Sequence, residues 1–378
     1  MRSFDLSIPT RIYFGTNIIK EALKKENELL TGVLLIVTSS KTLEYLGYID
    51  KLKEGIAASK LRKIVEFNQV SANPKLHEIE ECIEYARREN VSCVIGFGGG
   101  SAMDAAKAVA VGLETKEKLD SFLFDRKLPT SSLPLILIPT TAGTGSELSQ
   151  GAIITCTKRK KKTAIRGSYV YPRVAIVDPS FTMSVPYKIT METGFDMVAH
   201  AVESYVSKAA TPFSEMLSEY AIKNAQKALR VLSTNLFDNH AREQISYSSM
   251  LMGINLGNVG SVLPHRMQYP IGALTDTSHA AGLISIYLAW IDHGYEFSPQ
   301  KWNCIGTLIS EVDCFNKQDV LNSFRSLFYD LKLHYSLSDL GITQSDINVL
   351  VENVEKNIKN DPAYQKDSII QNIYKSSL

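Results

Sequence analysis

Between Val91 and Val111 the chain reads VSCVIGFGGGSAMDAAKAVAV, an apolar run, three consecutive glycines with a serine, then an alanine-rich stretch. Val91 to Phe97 has the composition of a buried strand, and Ala102 to Val111 that of a helix. A strand that passes through a tight glycine turn into a helix commits the chain to a βα unit. Such units assemble into parallel sheets covered by helices on both faces. The same alternation recurs on either side. Gly32–Thr38 (GVLLIVT) reads as a strand, followed by a helix from Lys41 towards Ala58, and Ile64–Val70 as the next strand. After the break at Asn73-Pro74 a helix runs to Glu89, and Leu133–Ile138 (LPLILI) is a further strand.

Residues 151–178 keep strand character, in GAIITC and then VAIVD, but beyond Pro186 the texture changes. Helical patterning takes over at Ser214–Leu232, Arg242–Leu256, Ile284–Trp290, Gln318–Leu333 and Gln344–Ile358. The fold class expected is α/β plus all-α: a parallel-sheet domain over residues 1–185, then a helical domain over 186–378. At 378 residues, two domains are also what chain length suggests. A cleft between them is the default place for a ligand.

Forty-one basic and forty acidic residues leave a net charge of +1, which offers no field for nucleic acid or an anionic membrane. The basic run Lys158–Lys162 (KRKKK) is short, and a solvated turn accounts for it. No apolar run has the length of a membrane span, and the N-terminal residues lack a signal peptide's apolar centre. Five scattered cysteines, an odd number, fit free thiols in a reducing compartment, so a cytoplasmic protein is expected.

Two loops carry ligand-binding chemistry. In Gly98-Gly99-Gly100-Ser101 the glycines let backbone N–H groups approach a ligand, and the helix that follows adds unpaired donors and a positive dipole end. That combination suits a pyrophosphate, although glycine turns also serve close packing. Asp104, in the first turn of the helix, either ties the loop down or complements the dipole. The pattern differs from the GxGxxG fingerprint. The second loop, Pro139-Thr140-Thr141-Ala142-Gly143-Thr144-Gly145-Ser146-Glu147, also follows a strand, at the sheet edge where open parallel sheets bind ligands. Local hydrogen bonding in a hydroxyl-rich turn is its alternative explanation.

In the helical half, GFDMVAHAVESY puts Asp196 and His200 four residues apart, one turn along a single helix face. His265 and His279 follow downstream. One carboxylate and three imidazoles make a four-ligand set for a divalent transition metal. Without further context a surface i,i+4 pair is the commoner explanation of Asp196 and His200. His77, His240, His293 and His334 are read as surface or structural.

Taken together, GGGSAMDAAKAVA, PTTAGTGSE, GFDMVAHAVESYVS and the ordered His265 and His279 resemble the iron-containing alcohol dehydrogenase family, over roughly residues 10 to 290. The resemblance implies a Rossmann-like domain followed by a helical one, in a dehydroquinate synthase-like architecture. It implies an NAD(P)-dependent oxidoreductase that interconverts small alcohols and aldehydes or ketones, as a homodimer or larger homo-oligomer. By motif, Asp196, His200, His265 and His279 become metal ligands, with Fe²⁺ favoured over Zn²⁺ on the resemblance alone. Gly98, Gly99, Gly100, Ser101 and Asp104 match the pyrophosphate loop. Thr140, Thr141, Thr144 and Ser146 match the loop lining ribose and nicotinamide. Lys162 matches a lysine that reaches the cofactor, and Asn73 a residue near the adenosine.

Two departures lie on the substrate side. Many members have HxxxH where this chain has His265-Arg266-Met267-Gln268-Tyr269, so Tyr269 stands in the place of a histidine credited with proton relay. A hydroxyl can donate and accept, which makes Tyr269 the candidate relay here. Around the last ligand, Ser278-His279-Ala280 replaces the frequent Pro-His-Gly. Arg266 and Gln268 could face a polar or anionic substrate, but helix-surface positions are the reading preferred. After the second strand, Thr38-Ser39-Ser40-Lys41 holds no carboxylate for a ribose 2′-hydroxyl, while Ser39, Ser40 and Lys41 could receive a 2′-phosphate. NADP(H) is therefore expected over NAD(H), with aldehyde reduction as the working direction. The rival readings are a dehydroquinate-synthase or glycerol-1-phosphate-dehydrogenase type of enzyme, and a non-catalytic metal-stabilised structural protein.

Overall fold

The computed structural model describes residues 3–355 and 358–378. Contacts divide the chain into two units: residues 7–185, and residues 186–378 together with residues 3–6.

The first unit runs β1 (Arg11–Phe14), α1 (Ile19–Lys25), β2 (Thr31–Val37), α2 (Thr42–Tyr45), α3 (Tyr48–Ile56), β3 (Lys60–Phe67), α4 (Leu76–Arg88), β4 (Cys93–Gly98), α5 (Gly100–Leu113), α6 (Leu119–Leu123), β5 (Leu135–Pro139), β6 (Gly151–Cys156), β7 (Lys161–Arg166) and β8 (Val174–Val177). Six strands form one sheet in the order β1-β8-β5-β4-β2-β3, every pairing parallel. Strand alternation divides the core in two. Val33, Leu35 and Val37 of β2 pack with α4 and α5 on one face, while Leu34 and Ile36 pack with α1 and α3 on the other. Since β3 lies on one side of β2 and β4 on the other, the chain order reverses between β2 and β4. Ligands of open parallel sheets gather at the carboxyl ends of such a pair.

Some elements differ from the sequence reading. The expected helix from Lys41 to Ala58 is broken into α2 and α3 at Gly47, whose φ of +70° is left-handed. The strand-like residues 151–178 serve two purposes. β6 and β7 form a separate antiparallel hairpin, and only β8 joins the main sheet. The basic run straddles this hairpin's turn: Lys158 to Lys161 are exposed, whereas Lys162 is buried.

The second unit is helical: α7 (Tyr187–Val206), α8 (Pro212–Thr234), α9 (Asn239–Asn258), α10 (Leu263–Thr275), α11 (His279–Gly294), α12 (Pro299–Ser310), α13 (Lys317–Asp330), α14 (Ile347–Asn353) and α15 (Ser368–Lys375). α7 is buried nearly all round from Phe195 to Val206, as a central helix must be. α8 starts where Thr211 caps the Ser214 N–H ahead of Pro212, and α11 where Ser278 caps Ala281. α10 was expected only through the helix-surface reading of Arg266 and Gln268, without bounds. Pro270 in its interior removes the N–H that would bond the Arg266 carbonyl and hides the helical signature. The expected helix Gln344–Ile358 is shorter, a single α14, and residues 356 and 357 lie outside the described part. Among the described residues, no helix is long and apolar enough to cross a membrane.

Candidate functional site

α7 carries Asp196, His200 and Glu203 at i, i+4 and i+7, a single stripe on a buried helix. α10 contributes His265, and the Ser278 cap makes His279 the first residue of α11. These four sequence-predicted ligands come together. The Nε2 atoms of His200, His265 and His279 lie 3.6, 3.2 and 3.5 Å from one oxygen, Oδ1 of Asp196. Ligands about 2.1 Å from a four-coordinate ion are about 3.4 Å from one another, so these spacings fit a single cation. Ligand atoms of Asp196, His265 and His279 lie mutually within 4.8 Å. His200 stands apart from that trio but stacks on His265, with ring centroids 4.1 Å apart.

The charges are set against one another. Burial disfavours an ionised Asp196, but the imidazoles of His200 and His279 outweigh it and hold its carboxyl well below the usual range. Burial, with His265 alongside, holds His200 well below the ordinary histidine value. Burial also opposes charge on His265, yet Glu203 and Asp196 prevail and its pKa is pushed up to about 9. One carboxylate facing three packed imidazoles is the donor set of a divalent transition ion.

Behind the ligands stand two residues: Glu203, which sequence reasoning passed over, and Gln268, which it read as helix surface. An oxygen of Glu203 faces His265 Nδ1, and its other oxygen accepts the Val262 N–H at 2.8 Å. Gln268 Oε1 faces His279 Nδ1. Partners of this kind fix an imidazole so that its other nitrogen points at a metal. Among the described residues His200 Nδ1 has no such partner. The i+7 spacing of Glu203 from Asp196 was the available signal. Asp361, fully buried, completes the support by accepting N–H bonds from Leu263, Ala363 and the Trp290 indole.

Arg266 and Gln268 correct the sequence reading. Neither is a helix-surface residue: Arg266 is 5% exposed and Gln268 0%. Gln268 reaches α11 where Gly282 makes room, since a Cβ there would sit 3.1 Å from the glutamine side chain. Arg266 turns the other way, donating to the Tyr269 hydroxyl at 3.0 Å, and the Tyr269 ring lies 6.5 Å from that of His279. Of the remaining histidines, His77, His240 and His334 are exposed and His293 is half-buried.

In the α/β unit, the glycine turn and the hydroxyl-rich loop lie side by side at the carboxyl ends of β4 and β5. Thr140 N donates to Gly98 O at 2.9 Å. A Cβ on Gly100 would come within 2.8 Å of Thr144 Cγ2, and one on Gly99 within 3.4 Å of Thr141 Oγ1, a buried hydroxyl without a partner among the described residues. Gly98 has φ +154°. The turn is thus open where a ligand's phosphates would approach, and side chains would fill it. Asp104 ties the two loops together, with Oδ1 accepting from the Ser146 hydroxyl at 2.6 Å and Oδ2 from Ile153 N at 3.0 Å. Both its oxygens are engaged within the protein, so of the two roles expected for it the tying role has direct support. The fully buried Lys107 reinforces this junction through Ser146, Ser149 and the Gly151 carbonyl. Asn73 and Lys162, reached through separate motifs, meet in a buried 2.7 Å hydrogen bond. Thr38, Ser39, Ser40 and Lys41 form the turn after β2, where Ser40 Oγ bonds Thr42 and the side chains of residues 39–41 are exposed.

One unit with a parallel sheet and glycine-rich turns at its reversal point, and another, helical, with a buried carboxylate–imidazole cluster, define a class of two-domain metal-dependent oxidoreductases. Residues 9–179 match the model for iron-containing alcohol dehydrogenase, and residues 190–378 that for the Fe-containing alcohol dehydrogenase family, C-terminal. The chain belongs to the iron-containing alcohol dehydrogenase family. It is 29% identical to the sulfoacetaldehyde reductase of Bilophila wadsworthia, over 95% of each chain. It is 28% identical to the 1,3-propanediol dehydrogenase of Citrobacter freundii, over 93% of this chain and 92% of that one. A crystal structure of sulfoacetaldehyde reductase from Bifidobacterium kashiwanohense in complex with NAD⁺ superposes with a TM-score of 0.87 at 26% identity, covering 100% of this chain and 99% of the other. The fold and the oxidoreductase class expected from the sequence are borne out.

Proposed function

We propose that the protein is an aldehyde reductase and alcohol dehydrogenase that binds metal and substrate in its helical unit and the nicotinamide cofactor in its α/β unit. The observation that carries this reading is the convergence of three imidazole Nε2 atoms on Asp196 Oδ1. Asp196, His200, His265 and His279 would hold Fe²⁺, with Zn²⁺ chemically acceptable to the same donors. A divalent ion there supplies Lewis acidity towards a substrate oxygen. The chain's own contribution is to keep the Nε2 lone pairs of His265 and His279 directed inward, through Glu203 on His265 and Gln268 on His279.

Gly98, Gly99, Gly100 and Ser101 receive the cofactor's pyrophosphate at the start of α5, where the helix offers free N–H donors. Thr140, Thr141, Thr144 and Ser146 line its ribose and nicotinamide side, with Asp104 and Lys107 fixing the loop's shape. The nicotinamide carries the hydride. Asn73 holds Lys162 in place for the cofactor. Ser39, Ser40 and Lys41 at the end of β2 favour NADP(H), because the turn contains no carboxylate to repel a 2′-phosphate. The NAD⁺ in the Bifidobacterium structure belongs to that relative, and the 38–41 turn is this chain's own. Tyr269, whose oxygen accepts from Arg266, remains able to donate its own proton and is the group placed to relay one to the product alcohol. A homodimer or larger homo-oligomer in the cytoplasm completes the reading.

The test combines elemental analysis of the purified protein with steady-state kinetics on short aldehydes. One equivalent of iron or zinc and a lower KM for NADPH than for NADH are expected. Metal-free protein with full activity would overturn the metal assignment, and a clear preference for NADH would overturn that of Ser39, Ser40 and Lys41.

A further inference from the structure

The helical unit buries a cation that the arrangement so far leaves only partly compensated. Arg266 is 5% exposed, yet of its five N–H groups the Nε–H has no acceptor among the described residues. Its Nη1 donates to a neutral group, the Tyr269 hydroxyl. The carboxylate facing it, Glu355 Oε2, is 3.8 Å from Nη1, well beyond the 2.7–2.9 Å of a charge-assisted hydrogen bond. A buried guanidinium with no close counter-ion is costly, and an unfilled N–H on its fork calls for an acceptor, an anion best of all. The position of this fork is informative. Arg266 immediately follows the ligand His265. Its guanidinium lies 5.4 Å from the Tyr269 ring centre, and that ring neighbours His279. Asp196 and Glu203, the other buried carboxylates of the cluster, are engaged with imidazoles and the Val262 N–H and do not reach Arg266.

We infer that Arg266 is a specificity-determining residue, and that the substrate is a small aldehyde bearing an oxyanion group (a carboxylate, sulfonate or phosphonate) bound by the guanidinium. The inference rests on the aldehyde-reductase reading of the same site. Two oxygens of such a group match the planar fork, one on Nε–H and one on a terminal N–H, which the single-point ammonium of lysine cannot reproduce. Tyr269 stands between the two ends of the substrate, its oxygen held by the same guanidinium.

The experiment compares kcat/KM for aldehydes of equal chain length ending in carboxylate, sulfonate, phosphonate or a neutral hydroxyl. The metal-loaded wild-type protein is set beside Arg266→Gln and Arg266→Lys. The wild type is expected to favour at least one anionic aldehyde over the neutral one by tenfold or more, and the best of the three identifies the headgroup. Arg266→Gln should lower the anionic-to-neutral ratio by about 30-fold or more, the scale of hydrogen bonds to a charged group, with Arg266→Lys in between. A wild type indifferent to charge, or an Arg266→Gln variant that loses both substrates equally, overturns the inference. Calorimetric titration of the corresponding hydroxy-carboxylate, -sulfonate and -phosphonate products separates it from the reading on which it rests. Binding of one of them that Arg266→Gln abolishes supports Arg266 as an anion site even if no aldehyde is turned over, an outcome that would defeat the reductase reading alone. Absence of binding to all three in the wild type defeats the Arg266 site.

Discussion

Glu203 and His265 join two helices through one buried contact: a carboxylate oxygen on α7 faces the Nδ1 of an imidazole on α10, and both side chains are almost wholly sealed from solvent. The second Glu203 oxygen accepts the N–H of Val262 just ahead of α10, so one carboxylate sets both the tautomer of His265 and the entry of its helix. Glu203→Gln is expected to weaken metal affinity about 10–100-fold, the usual scale for a partner standing behind a ligand. Competition with a chromogenic chelator reads this directly, and a melting temperature on the same sample separates it from unfolding. Unchanged affinity would mean that His265 is oriented by the fold without Glu203.

Removing the metal should destabilise the helical unit. An ion that binds only the folded chain, present at a hundred times its Kd, adds about 2.7 kcal/mol. Chelator treatment should therefore lower the melting temperature of the wild type. The same treatment should leave Asp196→Ala unmoved, because that variant lacks the oxygen on which all three imidazoles converge. Equal shifts in both proteins would place the bound metal elsewhere.

The glycine turn offers a test confined to the α/β unit. In Gly100→Ala the new Cβ falls 2.8 Å from Thr144 Cγ2, so the two loops must part. A rise in the KM for cofactor of about tenfold, equivalent to about 1.4 kcal/mol of binding, is expected with metal content unaltered. A KM equal to that of the wild type would show that the turn does not touch the cofactor.

Asp361 gives a pH dependence. Burial pushes its carboxyl up to about 6, from 3.8, although three N–H groups point at it. The folded state therefore binds the proton more tightly than the unfolded state. The stabilisation is complete below about pH 4 and is lost as pH rises through about 6. Its size is roughly 3 kcal/mol at 1.36 kcal/mol per pH unit. Denaturant unfolding of wild type and Asp361→Asn at pH 4 and pH 7 should show the wild type's advantage shrinking by about that amount. A constant difference would mean that Asp361 keeps the same protonation state folded and unfolded.

Asp196, His200 and both ligand loops were legible in the sequence because each rests on local patterning, whereas His265 and His279 entered through the family resemblance. Asp196 and His200 sit at helical spacing, and the glycines and threonines fall directly after strands. Glu203 was equally local yet passed over, since a carboxylate three residues beyond His200 reads as one more helix charge until His265 is seen beside it. Asp361 was out of reach. Gln268 and Arg266 were noticed but read as helix surface, because Pro270 blurs the pattern of α10 that would separate its buried face from its exposed one. Asp361 acts from nearly a hundred residues away on the backbone of Leu263.

Local chain order thus determined the βα units, the helical second half and the identity of the residues that can bind a cation. Strand and helix periodicities are properties of neighbouring residues, and donor chemistry belongs to the residue type. Only the tertiary structure decided which oxygen the imidazoles share, which carboxylate holds which ring, and that Arg266 is buried. Those facts are distances between segments far apart in the chain, and burial is conferred by whatever packs on top.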